Sequence, residues 1–369
     1  MEYTSESIAK FINEKAEYIE AESQTWRILI VDDEVDIHDV TIMALRKLTF
    51  DSKKLEFISA YSGAEAKEKI KQFPDIAIAI IDVVMEEDNA GLELVKFIRE
   101  ELENENIRLI LRTGNPGKAP EETVTMNYDI NDYRGKTELT ALSLRTMIIT
   151  ALRSYKAIYT IKGLNKEIDK TQKELIYSLS EIAEFRSKET GHHVKRVGEI
   201  TNILGKKIGL PDEILKNISL AASMHDLGKI AIDDSILNKP GRLTEEEFEI
   251  MKTHTVLGYE ILNKSKWPLL RMAATIALEH HENYDGTGYP NGLKGDEINI
   301  ISSIVALVDV VDALGNKRVY KEAWSEEEIN DYIISEKGKK FAPQIIELYF
   351  ECISEINEIR EKNQMKLLK

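Results

Sequence analysis

The sequence predicts a multidomain chain: an α/β doubly wound domain with a five-stranded parallel sheet, then a long linking helix and an all-α domain. Three observations lead there. Short runs rich in Ile, Leu and Val alternate with helical patterns between residues 26 and 136, the order that a parallel sheet with crossover helices imposes. From residue 138 the strand pattern gives way to apolar residues at intervals of three and four, the period of a helix. Six of the seven histidines fall between residues 192 and 281, inside the helical part.

Taken in order, residues 1–25 read as a polar helical arm. Strands follow at 27–31, 55–61, 76–81 and 107–111, with a weaker fifth near 131–133, and helical patterns cover 40–48, 64–72 and 92–103. Together they make a domain over 26–137. Over 138–182, Leu144, Ile148, Ala151, Tyr155, Ile158, Ile161, Leu164, Ile168, Leu175, Leu179 and Ile182 mark one linking helix. That stripe either packs on its own domain or pairs with a second copy of the chain. Residues 183–369 read as helical throughout.

Composition narrows the function classes. Net charge is −16, from 49 basic and 65 acidic residues, a field that opposes non-specific binding to nucleic acid. No apolar run reaches the ~20 residues needed to span a bilayer. The N-terminus has no basic segment followed by an apolar core. A single cysteine, Cys352, suits a reducing compartment. The expectation is a cytoplasmic protein without nucleic-acid or membrane partners.

In an open parallel sheet, functional groups collect beyond the C-terminal strand ends. Here those ends carry Asp32, Asp33, Asp82, Thr113 and Lys136. Clustered carboxylates repel unless a hard cation such as magnesium joins them, and such a site can hold an acyl phosphate. Residues 26–136 thereby resemble the response-regulator receiver family. The resemblance implies Asp82 as phosphoacceptor and Asp32, Asp33, Asp82 and the Val84 carbonyl as magnesium ligands. It implies Thr113 and Tyr133 as switch residues, Lys136 as the phosphate contact, and a sensor histidine kinase as partner. Two features depart from that pattern. Thr137 follows the lysine where receivers have proline, and the 83–90 loop is about one residue longer and carries Glu86, Glu87 and Asp88.

The histidines point to a metal centre, since imidazole is the commonest metal ligand at neutral pH. Glu189 and His193 are four apart and share a helix face. His225 and Asp226 are adjacent, with Lys229 one turn beyond. His254 falls in a helix opened by a Thr244/Glu247 capping box. His280 and His281 precede a glycine-rich loop, and Asp309 lies within the apolar helix 300–314, where an unpaired carboxylate is costly. Mixed imidazole and carboxylate donors suit Fe, Mn, Ni or Zn. Eight donors exceed one ion's needs, so two or three ions are expected. Paired ions are a recurring means of cleaving phosphodiesters, with a shared hydroxide as nucleophile.

Residues 180–350 resemble the HD-GYP branch of the HD phosphohydrolases. Four stretches carry the likeness: Glu-Thr-Gly-His-His-Val-Lys-Arg-Val (189–197), His-Asp-Leu-Gly-Lys (225–229), His-His-Glu-Asn-Tyr-Asp-Gly-Thr-Gly-Tyr-Pro (280–290) and Asp-Val-Val-Asp-Ala-Leu (309–314). The resemblance implies Glu189, His193, His225, Asp226, His254, His280, His281 and Asp309 as metal ligands, with Glu189 admitting a third ion. Asp226 and Lys229 become the catalytic pair. Lys229, Arg318, Lys321 and the Gly288-Tyr289-Pro290 loop meet the substrate. The implied activity is hydrolysis of cyclic di-GMP to pGpG or GMP, regulated through Asp82, in a homodimer that also meets a diguanylate cyclase through the loop. Another cyclic dinucleotide, or a non-catalytic sensing module, remains open on the residues alone. The stretch 315–319 departs from the family's Thr-Ser-Asp-Arg-Pro, and Ala342 stands where the family has Asp. His192 reads as a solvated neighbour of His193, His38 as a surface residue, and Asp312 as a hydrogen-bonding residue rather than a ligand.

Overall fold

The computed structural model describes residues 25–85, 87, 89–114, 130–136, 140–187, 192–315 and 323–365. Apart from Thr25, the predicted arm over 1–25 lies outside them, as do Glu86, Asp88, Thr137, Glu189, residues 316–319 including Arg318, and Lys321. The chain divides into two compact units, one ending at Ile168 and one beginning at Asp169.

The first unit is built on β1 (Thr25–Val31), α1 (Val35–Leu45), β2 (Thr49–Phe50), β3 (Lys53–Ala60), α2 (Gly63–Gln72) and β4 (Ile76–Asp82). It continues through α3 (Ala90–Lys96), β5 (Arg108–Thr113) and β6 (Asp132–Gly135). The described strands form one sheet in the order β2-β3-β1-β4-β5-β6. β4 is buried at every position, as befits a central parallel strand covered on both faces. One face carries α2 and α3, with Ala66, Ile70, Leu94 and Val95 packed on Leu29, Ala79 and Ile81. The five predicted parallel strands are present.

The sixth strand is a difference from the prediction: β2 pairs antiparallel with β3 through Thr49↔Lys54 and Phe50↔Lys53. Asp51 and Ser52 both take positive φ, 54° and 62°, the two-residue hairpin geometry that matches strand twist. Two residues carry no readable period. A second difference is His38. The prediction put it on the surface, but α1 begins five residues earlier than its apolar pattern suggests, and His38 faces inward at 1% exposure. Its Nε2–H donates to the Asp32 carbonyl at 2.8 Å, and Nδ1 lies 3.0 Å from the Ser59 hydroxyl.

The linking helix, α4, runs continuously over Ala141–Arg186. Leu144, Ile148, Ala151 and Tyr155 pack on Ile28, Ile78, Ile80 and Ile110 of the sheet, so this stretch follows the own-domain reading. Ile161, Leu164, Ile168, Leu175, Leu179 and Ile182 are exposed.

The second unit is helical: α5 (His192–Lys207), α6 (Asp212–Ser223), a 3-10 turn (Leu227–Ala231), α7 (Asp234–Leu237), α8 (Glu245–Lys252) and α9 (His254–Leu262). α10 (Pro268–Glu279), α11 (Ile300–Gly315), α12 (Glu326–Ser335), α13 (Pro343–Glu351) and α14 (Ile353–Met365) follow. Its core joins Val197 and Ile200 of α5, Ala221 of α6, Ala273 and Ala277 of α10, Val305 and Val308 of α11 and Ile346 of α13. The Thr244/Glu247 capping box is present, but its helix stops at Lys252 and His254 opens the next one. Among the described residues no helix is long and apolar enough to cross a membrane.

Candidate metal centre

The ends of α4, α6 and α10, the starts of α5 and α9 and the middle of α11 converge in the second unit. After α6, the chain turns through His225 and Asp226 into the 3-10 turn. Gly228 lets that turn lie directly on the start of α9: a Cβ there would stand 1.8 Å from the His254 carbonyl oxygen. His280 and His281 leave the end of α10, and α11 carries Asp309 and Asp312.

The imidazoles are fixed by their outer nitrogens. His225 Nδ1 lies 2.9 Å from the Ala222 carbonyl, His254 Nδ1 2.7 Å from that of Met251, and His280 Nδ1 3.0 Å from that of Ala277. A carbonyl only accepts, so each Nδ1 carries a proton and each Nε2 faces inward, the orientation that offers Nε2 to a metal. His193 Nδ1 pairs at 2.7 Å with Asp312, which also accepts from Arg196 Nε and Nη2 at 2.6 and 2.7 Å.

Asp226 stands between two groups of donors. Its Oδ1 lies 3.3 Å from His254 Nε2 and 3.6 Å from His280 Nε2, while Oδ2 lies 3.2 Å from His225 Nε2. Ligand atoms of Asp226, His254, His280 and His281 fall within 4.8 Å of one another, and those of Glu184, His193 and His225 do likewise. Asp309 Oδ1 reaches His193 Nε2 at 3.3 Å and His225 Nε2 at 3.7 Å.

The residues fit divalent ions. Asp226 Oδ1, His193 Nε2 and His225 Nε2 are buried and make no hydrogen bond, which a protein interior rarely tolerates unless a ligand takes them. The field agrees. Burial alone would lower His193 and raise Asp309, yet Asp309 and Asp312 lift His193 to about 10, and His193 and His225 hold Asp309 well below the carboxylate range. Burial opposes Asp226 as well, but Lys229 and His225 keep it ionised. On the other side burial lowers His280 and His281, which stay neutral donors. A pocket that draws protons onto imidazoles this strongly is one that favours cations.

At the C-terminal edge of the sheet in the first unit, Asp82 closes β4 at 2% exposure. Its Oδ2 lies 2.8 Å from Lys136 Nζ, and its Oδ1 makes no hydrogen bond. Burial raises Asp82, with Lys136 pulling the other way. Asp32 is fully buried 3.2 Å from Lys136, whereas Asp33 is exposed. Thr113 is buried at the end of β5 and Tyr133 within β6, and the Val84 backbone bonds to Asp82.

Residues 177–345 match the HD domain family model. The chain is 32% identical to 3'3'-cGAMP-specific phosphodiesterase 2 of Vibrio cholerae, over 94% of this chain and 95% of that protein. It is 33% identical to a cyclic di-GMP phosphodiesterase of Thermotoga maritima, over 91% and 94%. It is 30% identical to the cyclic di-GMP phosphodiesterase response regulator RpfG of Xanthomonas campestris, over 90% and 89%. The chain belongs to the HD-GYP phosphodiesterases with an N-terminal receiver. Among solved structures, a receiver domain protein of Clostridium thermocellum aligns with 36% of this chain and 98% of its own, at 20% identity and a TM-score of 0.31.

Seven of the eight ligands expected of an HD-GYP centre thus stand together, and Glu189 lies outside the described residues. Asp312 is a hydrogen-bonding support, as read from the sequence. Two residues were missed. Glu184, fully buried beside His193 and His225, follows Ile176, Ser180 and Ala183 on the buried side of α4, and that spacing was the available signal. Arg196 is fully buried although its sequence context reads as an exposed charge.

Beside the centre, Lys229 Nζ lies 2.6 Å from Asp226 Oδ2 and 3.8 Å from Glu184 Oε1. The Gly288-Tyr289-Pro290 loop closes over His281, with the Tyr289 ring tilted 31° to the imidazole at 4.8 Å between ring centroids. Gly288 is required there, because a Cβ would meet the Asn283 amide nitrogen at 2.2 Å. Glu282 pins the loop's far side by accepting from Asn291 N and Leu293 N at 2.7 and 3.0 Å.

Proposed function

We propose that this protein hydrolyses cyclic di-GMP to linear pGpG or GMP at a centre of two or three iron or manganese ions, under control of phosphorylation at Asp82. The observation that carries the reading is Asp226, whose two oxygens face separate imidazole groups while Lys229 stands against the same carboxylate. Divalent ions bound there supply Lewis acidity toward a phosphodiester and toward water. Asp226 holds the two donor groups in register. Lys229 offers an ammonium to a phosphate oxygen, a task Arg318 and Lys321 share in this reading. Tyr289 and its loop cover the His281 side and exclude solvent. A base-specific contact is not needed for the chemistry, so cyclic di-GMP rests on the relatives named for it.

A second reading, 3'3'-cGAMP as substrate, is favoured by the Vibrio cholerae relative that spans 95% of its length. Turnover of both dinucleotides by protein loaded anaerobically with iron or manganese decides between them. Faster linearisation of cyclic di-GMP supports the first reading; exclusive turnover of 3'3'-cGAMP replaces it. Binding without turnover of either would make the chain a sensing module. Chelation should abolish hydrolysis, and His225→Ala should do so without unfolding the protein.

The regulatory reading includes a sensor histidine kinase as phosphodonor, magnesium at Asp32, Asp33, Asp82 and Val84, a diguanylate cyclase docked on the Tyr289 loop, and a homodimer. The dimer is supported by α4. Ile161, Ile168, Leu175 and Ile182 recur every seventh residue, and each is more than half exposed. Such a seam is what a two-stranded coiled coil buries.

A further inference from the structure

Strand β5 reads Arg-Leu-Ile-Leu-Arg-Thr, and its second arginine sits where an apolar residue would satisfy the core. Arg112 is 4% exposed and shares a sheet face with Ile110. Its Nη1 donates to the Thr41 hydroxyl of α1 at 3.0 Å, its Nη2 approaches Asp32 Oδ2 at 3.5 Å, and its Nε makes no hydrogen bond. Burying a guanidinium costs several kcal/mol, so a specific compensation must hold it there. That compensation is the acidic pocket.

Burial works against the charge on Arg112, and Asp32 and then Asp82 work for it. Asp32 is correspondingly occupied. Its Oδ1 accepts the Glu34 N–H at 3.1 Å, and its Oδ2 faces Lys136 at 3.2 Å as well as Arg112. Four acids, Asp32, Asp33, Glu34 and Asp82, therefore face two fixed cations, Arg112 and Lys136. A hard divalent ion is held by the negative field of its oxygen ligands, and each fixed cation beside them weakens that field.

We propose that Arg112 is a built-in counter-charge of the phosphoacceptor pocket, which weakens magnesium binding and sets the magnesium level at which Asp82 accepts phosphate. It engages Asp32 and leaves Asp33 as the more available ligand. It is a positioning residue, acting on the ion through Asp32. The inference deepens the phosphorylation reading above and rests on it.

The test is calorimetric titration of the full chain with magnesium. An Asp33→Asn/Asp82→Asn double variant defines any magnesium taken up elsewhere. Arg112→Met, which keeps the buried stem and removes the charge, should bind magnesium at least tenfold more tightly, since one charge beside a divalent ion is worth more than a factor of about ten even at an effective dielectric near 20. Arg112→Lys should stay within about twofold of the parent. Equal or weaker magnesium binding by Arg112→Met, with its melting temperature unchanged, overturns the proposal. Should that variant fail to fold, Arg112→Gln, which can keep the Thr41 hydrogen bond, carries the same comparison. In parallel, the magnesium concentration for half-maximal labelling of Asp82 by acetyl phosphate should fall in Arg112→Met. No labelling of Asp82 in the parent protein would remove the phosphorylation reading, while calorimetry, which needs no labelling, still decides on Arg112.

Discussion

Asp312 accepts from Arg196 through both of its oxygens, at 2.6 and 2.7 Å, while holding His193 Nδ1 at 2.7 Å. Burial works to raise Asp312, but Arg196 and His193 keep it down at about 2. The three side chains are buried together, so the guanidinium is what permits a carboxylate to orient the metal-facing imidazole. Arg196→Met should destabilise the protein by about 3–5 kcal/mol, the cost of breaking a buried ion pair from one side. Asp312→Asn should instead weaken metal retention about 10–100-fold, the range for loss of a ligand's hydrogen-bond partner. Thermal melts and metal analysis after dialysis against a chelator check the two; unchanged metal content in Asp312→Asn would count against the orienting role.

Lys229→Met should leave metal content near the parent value and cut kcat by about 10²–10³-fold, the usual loss when one preorganised charge is removed from a transition state. Lys229 is 14% exposed and rests on Asp226 at 2.6 Å. In the proposed reading its ammonium serves the substrate as well as Asp226. Kinetics and metal analysis on the same preparation separate those roles, since a drop in bound metal equal to the drop in rate would mean that Lys229 only supports Asp226.

Most of the candidate metal centre was legible because its donor residues are chemically conspicuous: adjacent His225 and Asp226, adjacent His280 and His281, and Asp309 in an apolar helix. The sheet was legible because β4 is an unbroken apolar run and its neighbours alternate with helices. The supports were not. Arg196, Glu184 and Arg112 are charged residues whose burial depends on a partner from a distant segment, Asp312, Lys229 and Asp32 respectively, and no local period encodes such a partner. His38 was misplaced for a related reason. The first turn of α1, Val35–His38, contains Asp36, and Asp39 follows it, so the inward face shows little hydrophobic contrast. The two-residue strand β2 is set by backbone conformation at Asp51 and Ser52 rather than by side-chain pattern.

If the exposed seam of α4 is a dimer interface, a charge in its middle should abolish it. Leu175→Glu places like charges opposite each other in a parallel pair and buries a charge against Ile168 in an antiparallel one, at a position more than half exposed in the single chain. The variant should fold with an unchanged melting profile at low concentration and run as a monomer in sedimentation or light scattering. A parent protein that is already monomeric at tens of micromolar would dispose of the seam as an interface.

Gly228 joins stability to chemistry. An added methyl would stand 1.8 Å from the His254 carbonyl oxygen and 2.6 Å from the Gly258 nitrogen, both backbone atoms that no rotamer change can clear. The 3-10 turn must then lift from α9, at the ~1–3 kcal/mol typical of overpacking, a fall of several degrees in melting temperature for a domain of this size. The same movement separates Asp226 from His254, now 3.3 Å apart, so Gly228→Ala should lose bound metal and activity beyond what its stability loss explains. Gly114→Ala is the comparison, because a Cβ there meets nothing within 4 Å. Equal metal content in the two variants would mean that the glycine serves packing alone and that the position of Asp226 does not depend on the close approach of the turn to α9.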